Sequence, residues 1–150
     1  MARECHAVGD HRYDLALRDF AAYLRRVHDG RRGEGLAPGR VPGTELWLED
    51  VGSIVACARL RFWLTPDLEN EGGHIGYDVR PSMRRRGYGT ALLGLVLVEA
   101  RARGIQRVRI TCDADNVGSI KVIERNGGKY ASSGISPETG ASVRQYWIES

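Results

Sequence analysis

Lysine and cysteine are scarce in this chain, and long apolar runs are absent. Two lysines stand against twenty arginines in 150 residues. A bias of that kind reads as a mark of GC-rich coding rather than of a particular activity. The three cysteines, Cys5, Cys57 and Cys112, are odd in number and form no C-x-x-C pair. Neither a disulfide framework nor a thiolate zinc site is therefore suggested, and no metal is expected. They read as reduced thiols of a cytoplasmic protein. The longest apolar run, Ala91 to Ala100, is interrupted by Gly94 and Glu99 and falls short of the ~20 residues that a membrane-spanning helix needs. The stretch from Met1 to His6 lacks the apolar region and small-residue cleavage site of a secretory signal, so neither export nor a membrane partner is expected. Internal repeats and low-complexity tracts are also missing.

What remains is ordinary for a globular protein. Hydrophobic residues make up 42% and charged residues 27%, and the length fits one domain over 1–150. The net charge is only +3. Basic residues are dispersed from Arg3 to Arg144 without interleaved aromatic platforms, which argues against a nucleic-acid partner. Nineteen glycines exceed the average of ~7% without a collagen-like period, so each must be read in its place.

Apolar residues at three- and four-residue spacing predict an N-terminal helix over about 10–28, from Tyr13 and Leu17 to Leu24 and Val27. The run Asp29–Gly35 is too polar and glycine-rich for regular structure and is expected to be a loop. Leu46–Leu48 and Ser53–Phe62 predict a hairpin turning at Glu49–Gly52. Pro66–Gly73 reads as a polar connection, and His74–Val79 alternates as a strand that Pro81 ends. From Gly89 the period becomes helical, through Ala91, Leu92, Leu95, Val96 and Val98, until Gly104. Arg107–Asp113 is the next strand, so strand, helix and strand form a βαβ crossover whose strands are expected to be parallel neighbours. Asn116–Asn126 predicts a second helix with Ile120, Val122 and Ile123 inward, stopped by Gly127 and Gly128. Lys129–Ser132 and Val143–Ile148 complete the pattern as two strands around a turn at Pro137–Gly140.

The segment that points to chemistry is Arg84-Arg85-Arg86-Gly87-Tyr88-Gly89-Thr90, between a strand and the first turn of an amphipathic helix. Glycines at a helix start let bare N–H groups approach a phosphate, where the helix dipole favours negative charge. The arginines add charge-assisted hydrogen bonds. A Walker loop is excluded because no G-K-[ST] follows, and a dinucleotide fingerprint because Leu92 replaces its third glycine. A pyrophosphate site of another class remains.

Arg84, Gly87 and Gly89 in the order R-x-x-G-x-G, after a strand ending Tyr77-Asp78-Val79-Arg80-Pro81, resemble the acyl-CoA signature of the GNAT superfamily of N-acetyltransferases. Asn116-Val117-Gly118-Ser119 and the later Glu124-Arg125-Asn126-Gly127-Gly128 resemble its downstream segment. The likeness covers 44–148, and Gly72–Tyr77 with Arg144–Ile148 resembles a bacterial group within it. The resemblance implies a mixed α/β fold with a mostly antiparallel sheet around a central βαβ unit whose two strands splay apart. It implies acetyl-CoA as acyl donor and a small amine or peptide amine as acceptor. The pyrophosphate would lie on the amides of Arg85 to Thr90, and the pantetheine arm along Tyr77, Asp78 and Val79. A free N–H near Val79 would face the oxyanion, and Asn116 and Ser119 would position the arm. Asn116 also fits as a helix N-cap, and Tyr77 as a core aromatic.

Acyl transfer to an amine needs a base for the amine and an acid for the thiolate. Many members place a Glu at the start of the CoA strand. Here His74 stands there, with Glu71 just before it, and both are candidate bases, His74 being equally readable as a structural histidine. Where many members carry a Tyr general acid, this chain has Ile123, so either the thiolate leaves unassisted, as the acidity of a CoA thiol allows, or Tyr130 or Tyr77 substitutes. Members normally begin with a strand and a helix, whereas only Met1–Gly9 precede the N-terminal helix here. Either the chain is a shortened form or its first strand is missing, and the missing strand would leave an edge that a homodimer could cover. The function expected is acetyl transfer to a primary amine by direct attack in a ternary complex. The alternative is a catalytically inert acyl-CoA-binding regulatory module.

Overall fold

The computed structural model describes residues 1–137 and 139–150. Glu138, in the turn expected between the last two strands, lies outside the described residues. In chain order the elements are α1 (Ala2–Ala7), α2 (Asp14–Arg18), α3 (Phe20–Arg32), β1 (Gly43–Asp50), β2 (Ser53–Arg61), α4 (Pro66–Asn70) and β3 (Ile75–Val79). A single 3₁₀ turn, Pro81–Met83, leads to α5 (Tyr88–Ala102), β4 (Arg107–Asp113), α6 (Val117–Arg125), β5 (Lys129–Ile135) and β6 (Ser142–Glu149). The mixed α/β architecture is the one expected. Among the described residues no strand precedes β1.

Four local expectations are corrected, each for a capping or pairing reason. The single helix over 10–28 is two helices, because Asp19 turns extended and its carboxylate accepts the Ala22 N–H at 2.8 Å, capping α3. The loop expected from Asp29 is helical through Arg32, whose guanidinium reaches Asp29 at 2.6 Å and Glu34 at 2.9 Å before Gly33 closes the helix at φ +80. The polar connection at Pro66–Gly73 contains α4, started by the Thr65 hydroxyl accepting the Leu68 N–H, with Pro66 in the first turn. The first residues, given no element from sequence, form α1, and Glu4 accepts from the Arg80 guanidinium at 2.6 Å and the Ser82 N–H at 3.0 Å. That pairing holds the Glu4 carboxyl down at about 2.

The strands form two antiparallel sheets, β1-β2-β3 and β4-β6-β5. β2 alternates, which puts helices on both faces of the first sheet. Ala56, Ala58 and Leu60 face α5, where Leu92, Leu93, Val96 and Ala100 are all buried. Of the apolar positions that mark the helical period of α5, Leu95 and Val98 are exposed. Burial of each large aliphatic side chain contributes ~1.5–3 kcal/mol, and this is the main core. On the opposite face Cys57 packs with Cys5, Tyr13 and Tyr23 from the N-terminal helices.

Among the described residues the crossover strands β3 and β4 make no ladder, and the two sheets, which share the main core, are joined by hydrogen bonds where β3 begins. There the His74 N–H donates to the Arg109 carbonyl at 2.7 Å, and the Arg109 N–H donates to His74 Nδ1 at 3.0 Å. The Gly72 N–H completes the join on the Thr111 hydroxyl at 2.9 Å. Gly73 makes the approach feasible: its φ is +60, and a Cβ there would lie 2.4 Å from the Arg109 carbonyl oxygen. Past this point β3 and β4 part.

Candidate active site

Where the strands part, a cleft of about 780 Å³ opens. One wall is the free edge of β3. The Arg61 N–H bonds the His74 carbonyl and the Arg80 N–H bonds the Val55 carbonyl, at 2.8 Å each. Antiparallel pairing alternates, so Gly76 and Asp78 turn their peptide groups to β2. Those of Ile75, Tyr77 and Val79 turn to the other edge. Tyr77 and Val79 line the cleft, and unpaired strand groups at such an edge are the kind an extended amide ligand can satisfy.

The second wall is the loop entering α5. Gly87 is the N-cap residue at φ +87 and supplies no side-chain cap. The leading N–H groups of a 15-residue helix are thus left for another acceptor. Arg85 also adopts positive φ, +60, so the loop holds two left-handed residues, a conformation that can turn successive amides toward one side. Gly89 is buried: a Cβ there would stand 3.2 Å from Val122 and 3.4 Å from Val79, so its bareness lets α5, α6 and β3 converge. Arg84 donates to the Val79 carbonyl at 3.3 Å, and the Tyr88 hydroxyl donates to Asp50, tying the loop to the end of β1. Arg84, Arg85, Gly87, Tyr88, Gly89 and Thr90 all line the cleft, whereas Arg86 does not.

The third wall is the start of α6. Asn116 Oδ1 accepts the Ser119 N–H at 3.0 Å, so the side chain is the helix N-cap while also lining the cleft. The Ser119 carbonyl accepts the Tyr77 hydroxyl at 3.3 Å. Burial pushes that phenol up to about 12, so it carries its proton at neutral pH. Cys112 is half-buried, and burial raises its thiol to about 11, unsuited to a thiolate nucleophile. Asp78 is the one carboxylate among the lining residues, and Arg12 and the Tyr13 hydroxyl hold it from the α1–α3 side.

Three candidates lie elsewhere. His74 is buried in the join, its Nδ1 engaged by the Arg109 N–H, and burial, with Arg61 nearby, lowers its pKa. Glu71 accepts from the Ser136 hydroxyl at 2.9 Å. Tyr130 is exposed, bonded to the Ser133 hydroxyl and packed edge-on against Tyr146. None of the three lines the cleft. Conversely, Arg12, Lys121 and Arg125 line it without having been singled out. Lys121 and Arg125, four residues apart on α6 and following Ser119, carry a readable same-face signal. Arg12 carries none, because its place depends on a contact with Asp78 across 66 positions.

Comparison with known proteins agrees with this geometry. The yncA protein of Salmonella typhimurium, solved with its cofactor acetyl-CoA, superposes with a TM-score of 0.63 at 16% identity, over 99% of this chain and 90% of that one. A ribosomal-protein-alanine N-acetyltransferase from Brucella melitensis gives 0.64 at 20% identity, over 89% and 78%. An N-acetyltransferase from Staphylococcus aureus Mu50 gives 0.60 at 21%, over 85% and 73%. Among curated protein sequences none matches. The profile of the acetyltransferase (GNAT) family matches residues 10–128. With the splayed seam and the uncapped helix start falling inside that span, the chain belongs to the GNAT family of acetyltransferases.

Proposed function

We propose that this acetyltransferase moves the acetyl group of acetyl-CoA to a primary amine by direct attack within a ternary complex. The observation that carries the reading is the uncapped start of α5 beside the unpaired edge of β3, two donor sets converging on one cleft. The residues fit a diphosphate with an amide-bearing arm. Positive φ at Arg85 and Gly87 aims amides inward, four arginines and Lys121 line the cleft, and its only carboxylate is already held by Arg12. When bound, the donor supplies an acyl carbon activated as a thioester; the C–N bond forms, the C–S bond breaks, the amine releases a proton and the thiolate takes one.

The chain's own residues then have separate tasks. Amides from Arg85 to Thr90 hold the diphosphate, with Arg84 and Arg85 alongside. Tyr77 and Val79 pair with the arm, and an N–H of this edge faces the oxyanion. Asn116 keeps its cap through Oδ1, which leaves its amide nitrogen for the arm. Tyr77 lines the cleft as a protonated phenol, which supports a role for it as the acid that gives the leaving sulfur its proton, its hydroxyl turning from the Ser119 carbonyl to do so.

Calorimetry with acetyl-CoA tests the reading through Arg85→Glu, an exposed position whose change leaves the core untouched. Affinity is expected to fall by about tenfold or more, as a charge-assisted phosphate contact becomes a repulsion. No binding by the unaltered protein, or equal binding by the variant, would overturn it.

A further inference from the structure

A second cavity, of about 550 Å³, lies on the face of β1-β2-β3 that packs against the N-terminal helices, near the starts of β1 and the end of β2. Five of its lining residues are arginines, Arg12, Arg26, Arg40, Arg59 and Arg61, and one, Glu45, is a carboxylate. Two of the five charges are matched. Arg59 lies 3.3 Å from Glu45, and Arg12 is paired with Asp10 and Asp78. Glu45 has little left to offer, since it also accepts from the Tyr23 hydroxyl and from Trp47 Nε1 at 2.8 Å. Arg61 gives its hydrogen bonds to the Gly72 and Gly73 carbonyls, and Arg26 sits over the Tyr23 ring at 5.1 Å. Among the described residues no carboxylate comes within 4.0 Å of Arg26, Arg40 or Arg61. Burial, followed by repulsion from Arg40 and Arg59, lowers the Arg61 pKa, as a surplus of positive charge dictates.

This cavity adjoins the cleft. Arg12 lines both. Along β3, Gly76 pairs with Arg59 and Asp78 with Cys57, so both turn to the face of the second cavity. A Cβ built at Gly76 meets nothing within 4 Å, which leaves open space on the strand between the Arg12–Asp78 pair and Arg59. An amine there stands at the edge of the splay, with the rest of its molecule among the arginines.

We propose that the acceptor amine carries an anionic group, a carboxylate or a phosphate, which docks in this arginine-lined cavity. The proposal rests on the acetyl-transfer reading above and assigns its second substrate. Guanidinium forks recognise both groups in bidentate fashion, and a concave volume of this size suits a small molecule.

The test titrates three amines of similar size, ethanolamine, β-alanine and O-phosphoethanolamine, into the protein by calorimetry, with and without saturating CoA. Arg26→Ala/Arg40→Ala is titrated in parallel, both positions being exposed and absent from the lining of the cleft. One or both anionic amines are expected to bind at least about tenfold more tightly than ethanolamine, and to lose that advantage in the double variant. The winning arm tells carboxylate from phosphate. Equal binding of all three amines, or an anion preference that survives the double substitution, overturns the proposal. Acetyl-CoA affinity, measured separately, is expected to be unchanged in the double variant. Its absence in the unaltered protein would remove the donor reading, while anion binding without CoA would still be scored.

Discussion

Gly73 and His74 close one end of the seam between β3 and β4, whereas Val79 and Gly87 hold the other end open. At the closed end the chain satisfies itself. An imidazole nitrogen accepts the Arg109 N–H, and a bare glycine lets the two backbones touch. At the open end the peptide groups of Tyr77 and Val79 turn away from β2, and α5 starts with no side-chain cap; among the described residues only the Arg84 guanidinium reaches that edge, on the Val79 carbonyl. Polar groups in such places cost free energy unless something pairs with them. The closed end therefore reads as structure, and the open end as a place for a ligand. The split also accounts for His74, expected from the sequence as a candidate base: its Nδ1 is part of the join.

The sharpest way to break the comparison is to pry open the closed end. Gly73→Val would force a β-branched residue to φ +60 and press a Cβ onto the Arg109 carbonyl. Chemical denaturation is expected to show a loss of more than about 3 kcal/mol. At the open end Tyr77→Phe removes only a hydroxyl. Turnover is expected to fall about a hundredfold, with acetyl-CoA affinity in calorimetry nearly unchanged; a drop in affinity alone would assign Tyr77 to binding. The smallest effect belongs to His74→Ala, which leaves the Arg109 N–H without its acceptor and should cost about 1–2 kcal/mol. Because the folded protein lowers the His74 pKa below 6.5, its contribution is fully present above about pH 6.5 and is lost as the pH falls through the lowered value. Stability measured against pH is expected to lose that acid-side decline in the variant, while turnover keeps its pH profile. A shifted pH profile of turnover would return His74 to the chemistry.

The loop at Arg84–Thr90 was legible because its signals are local: arginines, two glycines and a change of period within seven residues. α5, β4 and α6 were legible for the same reason, since each is a run whose spacing or caps lie within itself. α4 was not, because five residues that begin at the proline of a Thr-Pro pair look like a turn until the Leu68 N–H finds the Thr65 hydroxyl. The break at Asp19 was hidden by apolar spacing that continues across it. Within the site, His74 was placed by its position in the strand, but its partner belongs to β4, and no spacing along the chain announces that contact. Arg12 was missed on the same ground. Long-range pairings decide which of several plausible polar residues face the cleft, and periodicity is silent about them.

The turn between β1 and β2 has a practical use. Val51 is 95% exposed and, with Gly52, sits at positive φ in a two-residue hairpin turn. Its neighbour Asp50 holds the Tyr88 hydroxyl at the loop that enters α5. The native thiols are poor competitors for a label, as Cys5 and Cys57 are buried, Cys112 is half-buried, and burial raises the pKa of all three. A fluorophore on Val51→Cys would thus attach at one site, one residue from the loop's anchor, and report its occupancy in real time without a coupled assay.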